Sequence, residues 1–122
     1  AGASWGPGLG LVWPNGWWRV NVRAEGRFGA DNGQAQTFGG WSAPRRWYDL
    51  RIRLAGDTWV AEVGEDGEYW EIIGTRPAAE LDGLPTAVRI GKMAGDGSNT
   101  DYEVLGPEGD CQIDTLRVWG RQ

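Results

Sequence analysis

Nine tryptophans are the main chemical resource of this 122-residue chain, which has no histidine and one cysteine. An indole presents a flat apolar face that a sugar ring can stack on, or a large area to bury in a core. Trp5 and Trp41 sit beside Gly and Pro in expected loops, Trp17 flanks a turn, and Trp47 falls on the face opposite Leu50. These four are the expected surface platforms, and covering a strand edge or a partner subunit explains them equally well. Without histidine there are no His-dependent triads, His general bases or His-ligated metals. A lone Cys111 excludes an intrachain disulfide and a thiolate zinc site, and reads as a small buried hydrophobe.

Polar chemistry is expected in three places. Alternation puts Arg19, Asn21 and Arg23 on one strand face, with Gly8 and Gly10 opposite Arg23 and Asn21 and Val12 opposite Arg19. Two positions without side chains beside Arg and Asn donors make a shallow shelf for hydroxyls or a carboxylated sugar. With Trp17 and Trp47, this shelf is the expected glycan site. The plain alternative is a solvated strand face whose glycines serve twist. Further along, Arg51 is expected to face Glu62, which in turn faces Glu71. Glycosidases need two carboxyl groups at a defined separation, but here an arginine offsets like charges on adjacent strands, which is ordinary ladder chemistry. Finally, Asp96, Ser98 and Asp101 have oxygen donors at spacings that a Ca²⁺ loop uses. The closing Glu of the full 12-residue loop is not matched, and an Asp/Asn-rich turn accounts for the stretch as well.

The elements that position these residues read as two meanders. Asn15-Gly16 is a strong hairpin signal, pairing Trp13 with Trp18, Leu11 with Val20 and Leu9 with Val22. A three-residue turn, Ala24-Glu25-Gly26, with Gly26 left-handed keeps Phe28 opposite Val22 and Ala30 opposite Val20. Asn32-Gly33 then returns a polar strand, Gln34 to Phe38, as a weak edge. In the second meander Gly56-Asp57 and Asp66-Gly67 are two-residue turns. They set Leu50 against Val63, Ile52 against Ala61 and Leu54 against Trp59, then Val63 against Trp70 and Ala61 against Ile72. All these pairs share one face, so Trp13, Trp18, Trp59 and Trp70 are expected in the core. A short strand resumes from Thr86 to Ile90, and CQIDTLRVWG closes the chain with a bulge near Asp114-Thr115. About nine strands with frequent turns and no helical periodicity predict an all-β, antiparallel two-sheet sandwich.

The net charge of −5 and pI near 4.6 argue against nucleic acid or anionic lipid as partner. No apolar run is long enough for a membrane-spanning helix. The Ala-Gly-Ala start and the absence of an initiator Met suggest processing of a secretory signal or excision from a longer chain.

Five segments in order carry a family resemblance: WGPGLGLVW, NVRAEGRFG, the run from YDLRIRL to WEIIG, VRIGKM and IDTLRVWG. Together they resemble the later part of a concanavalin A-like (LamG-like) jelly roll. Glu65 to Trp70 is similar to the S-x-D-G-x-x-W hairpin of such domains, with Gly64 where Ser is usual. The resemblance implies a shortened jelly roll lacking the N-terminal strands, and hence open edges completed by a neighbouring chain. Calcium is a frequent ligand of related sandwiches. The E-x-D-x-E strand of the related glycosidases does not occur here.

The expectation is therefore one domain over residues 1–122: a non-catalytic, extracellular sandwich that binds a glycan or cell-surface polymer. The alternative is a self-assembling subunit, as dimer, filament or lattice, built by β-strand addition. A glycoside hydrolase is a distant third.

Overall fold

The computed structural model describes residues 5–23, 25–43 and 45–92. The strands in these residues are β1 (Trp5–Trp13), β2 (Gly16–Arg23), β3 (Arg27–Asp31), β4 (Gln36–Trp41), β5 (Asp49–Ala55), β6 (Thr58–Glu65), β7 (Glu68–Pro77) and β8 (Ala87–Lys92). A 3-10 turn, Ala78–Glu80, follows β7. The expected calcium loop (Asp96, Ser98, Asp101), Cys111, the closing strand and the first three residues lie outside the described residues.

Two antiparallel sheets form, one in the order β4-β3-β2-β1-β8 and the other β5-β6-β7. Their apolar faces meet, as the period-two pattern requires. Trp13, Trp18, Val20, Phe28 and Ala30 come from the first sheet, and Trp59, Ala61, Val63 and Ile73 from the second. Trp13 and Trp59 meet edge to face across the layers, ring centres 5.2 Å apart. Burying each such side chain contributes roughly 1.5–3 kcal/mol.

The turn chemistry holds at three points. Gly26 adopts φ 98° and its N–H donates to Arg23 O at 2.8 Å. This keeps Val22 opposite Phe28 and Val20 opposite Ala30. Gly56 has φ 64°, and β5 and β6 pair Leu50 with Val63, Ile52 with Ala61 and Leu54 with Trp59. Asp66 and Gly67 both have positive φ, 54° and 72°, as a type I′ turn demands.

Two registers differ from expectation. The first hairpin turns at Pro14-Asn15, not Asn15-Gly16, so Trp13 pairs with Gly16, Leu11 with Trp18 and Leu9 with Val20. Proline fixes φ near −65° and suits the first central position of a turn, with Gly favoured two places on. The shift is two residues, so the buried face is unchanged. It also places Gly8 opposite Asn21, Gly10 opposite Arg19 and Val12 opposite Trp17. In the last hairpin, irregularities between Val63 and Glu65 and between Ala61 and Glu62 put Val63 against Glu71 and Glu62 against Ile72. Trp70 therefore leaves the core face. Ile73 is buried at 3% while Ile72 is 57% exposed. The cause is packing between the layers. A side chain at Gly39 would overlap Ile73 Cδ1, so Ile73 fills the hollow that Gly39 leaves on β4.

Trp5 and Trp41 also prove to be strand residues, at the start of β1 and the end of β4. Strand β1 is paired on one side by β2 and on the other by β8 of the same chain. Both flanks of β1 are therefore filled within the chain.

Candidate aromatic cleft

The shelf residues Trp17, Arg19, Asn21 and Arg23 alternate along β2 on the face away from the core, as expected. They are not a solvated shelf. Arg19 and Asn21 are 0% and 1% exposed. Arg19 Nε donates to Asp31 Oδ1 at 2.7 Å and Nη2 to Oδ2 at 3.2 Å, a bidentate pair with Asp31 itself buried. Asn21 lies between Gly8 and Gly29, and neither its amide nitrogen nor its oxygen has a hydrogen-bond partner among the described residues. Half-buried Trp17 lies 4.9 Å below the Arg19 guanidinium. Arg23 donates to Glu25 at 2.7 Å and to Gln36 at 2.9 Å, and sits 5.0 Å from the Phe38 ring centre. Trp47 is 59% exposed, but it precedes β5 of the other sheet and so does not join this face.

The carboxylate ladder separates as well. Glu62 is buried and accepts from Arg51 Nη2 at 3.1 Å and from Arg53 Nε. Burial works against its charged form, but the hydrogen bonds from Arg53 and Arg51 outweigh that and hold the carboxyl below its usual range. Arg51 also stacks 3.6 Å from the centre of the Trp70 ring. Trp70 in turn lies against Gly64, where an added Cβ would come within 2.9 Å of the indole. Glu71 is not in this ladder. Its carboxylate accepts from the Gly40 N–H at 3.2 and 3.1 Å, tying β7 to β4.

That tie lies beside a cleft of about 260 Å³ where the two sheets meet. Phe28, Trp41 and Tyr48 line one part, and Glu65, Tyr69 and Glu71 another. The loop before β5 is pinned there. Ser42 N–H donates to Gly26 O at 2.7 Å, and Ala43 N–H donates to the Tyr48 hydroxyl at 2.7 Å. Tyr48 meets Phe28 edge on at 5.0 Å. Trp41 is 64% exposed and Tyr69 86%. Tyr69 has φ 56°, a left-handed conformation that costs a bulky non-glycine residue on the order of 1–3 kcal/mol. It is the extra residue of the irregularity opposite Gly64. A strained side chain that buries almost nothing of itself is explained poorly by folding.

Chemically, the cleft offers aromatic faces for the apolar side of a ring and carboxylate oxygens for hydroxyl donors. Sequence reasoning placed Trp41 at the surface but did not single out Tyr69, Tyr48 or Glu65 as site residues. With Trp41 they arrive from four separate segments, and the backbone irregularity that swings Tyr69 outward has no local sequence mark. No protein-family model, curated protein or solved structure matches the chain.

Proposed function

We propose that the chain is a concanavalin A-like jelly roll acting outside the cell as a non-catalytic glycan-binding module. Its ligand sits in the cleft between Trp41 and Tyr69. Two facing antiparallel sheets and the five resembling segments support the fold assignment. The observation that carries the site is Tyr69, held at φ 56° with 86% of its surface in water at the lip of an aromatic cleft. Strain of this kind is kept where it presents a group to a ligand. Both glycosidase mechanisms require one carboxyl to donate a proton. Glu71 is engaged instead as an acceptor from Gly40, and Glu65 meets Arg46 at 3.4 Å, which favours binding over hydrolysis.

A glycan array followed by calorimetry tests the reading. Trp41→Ala and Tyr69→Ala are each expected to weaken binding about tenfold, the loss of about 1.4 kcal/mol of ring stacking. Binding that survives both substitutions, or no binding across a wide panel, sinks the assignment. Assembly by strand addition has less support, because β8 of the same chain occupies the second flank of β1.

A further inference from the structure

Resting on the glycan-binding reading, we infer that the cleft is built for an amino sugar, whose ammonium lies among Trp41, Tyr69 and the carboxylates of Glu65 and Glu71. The charged residues that line it are both acidic. Glu71 is held by a neutral donor, the Gly40 N–H, and makes no ion pair among the described residues. Glu65 meets Arg46 across 3.4 Å with the two side chains 39% and 58% exposed, an ion pair that solvent largely screens. The nearest stacked cation, Arg27, does not line the cleft. It is 5.9 Å from the Trp41 ring centre and 4.9 Å from that of Phe38, with Nε donating to Gly39 O at 3.0 Å.

These features discriminate among sugars. A carboxylated ring would meet two like charges, and a neutral ring would use the carboxylates only as acceptors for its hydroxyls, leaving their charge unmet. An ammonium gains hydrogen bonds to the carboxylates and attraction to the aromatic faces, the arrangement by which aromatic cages hold organic cations. At about 260 Å³ the cleft is just under the ~300 Å³ lower end of small-molecule pockets, so it holds one ring, with neighbouring units over the exposed Trp41 and Tyr69.

Calorimetry of the full chain against three β-1,4-linked oligomers of equal length, of glucosamine, N-acetylglucosamine and glucose, isolates the charge. Glucosamine is expected to bind about five- to tenfold tighter than the other two, the scale of a partly desolvated cation–π contact. Glu71→Gln keeps an acceptor for Gly40 and is expected to erase the preference. Trp41→Ala is expected to weaken all three. Equal affinity for the three, lost in Trp41→Ala, overturns the amino-sugar assignment and leaves glycan binding standing. Glucosamine binding indifferent to Trp41→Ala and Tyr69→Ala is bulk attraction to a chain of net charge −5 and overturns it too. A preference that persists in both Glu71→Gln and Glu65→Gln does the same. Silence from all three beside a positive elsewhere on the array removes the amino-sugar claim alone, whereas silence everywhere removes the site.

Discussion

Tyr69 and Glu62 are residues whose neighbours on the chain give little hint of their settings. At φ 56°, Tyr69 asks its backbone for a conformation that glycine adopts freely. Tyr69→Gly is therefore expected to raise the denaturant midpoint, by roughly 1 kcal/mol in stability, while weakening the proposed glycan binding about tenfold. A fall in stability would show that the ring supports the fold. Glu62 tests the opposite case. Glu62→Gln gives up charge-assisted bonds from Arg51 and Arg53 and is expected to cost about 2 kcal/mol near neutral pH. Because the folded carboxyl titrates below its ordinary 4.5, its stabilisation is present above that value and is lost as pH falls through the lowered one. The gap between the two proteins in urea unfolding should shrink as pH falls below 4.5 and close once it passes the lowered value, and a constant gap would contradict the linkage. The Arg51–Glu62 pairing was legible from turn counting. Glu62's near-complete burial was not, because the arginines that bond it, and the Trp70 ring stacked on Arg51, come from flanking strands.

At the scale of elements, β7 shows where pattern reading stops. Turns with one acceptable chemistry, Gly26 and Gly56, gave correct partners along β2–β3 and β5–β6. At Trp13-Pro14-Asn15-Gly16 two turn signals overlap, and proline prevails over Asn-Gly. In β7 the inward residue is chosen by a hollow on another sheet, at Gly39, which no local rule foresees. Adjacent isoleucines expose the difference. Ile73→Ala is expected to cost about 2–4 kcal/mol and Ile72→Ala under about 0.5, both from thermal or chemical unfolding. Equal costs would restore the regular hairpin. Gly64→Ala is expected to cost about 1–3 kcal/mol by pressing on the Trp70 indole and Glu68 O, with a change in the near-UV spectrum. A neutral result would mean that Trp70 does not lie there.

For the whole molecule, strand order sets where the structure opens. β1, β2, β3 and β6 each have partners on both sides, whereas β4, β5, β7 and β8 are sheet edges among the described residues. Hydrogen exchange is expected to be slowest in β1, β2 and β6 and at least about tenfold faster in β5. Rapid exchange along β1 would mean that β8 does not stay beside it. Two facing sheets were legible from alternation alone. The cleft was not, since it exists only once β4, β6, β7 and the loop before β5 are assembled.

Greasy-polar alternation cannot see a displacement of two positions. Sliding β2 along β3 by that amount would still turn Val20 and Val22 inward. The Arg19–Asp31 couple on the reverse side does see it: any such slide would strand a guanidinium and a carboxylate without each other and without water. Ion pairs sealed from solvent add little net stability, so its value is that of a key, admitting one alignment and rejecting the equally oily one beside it.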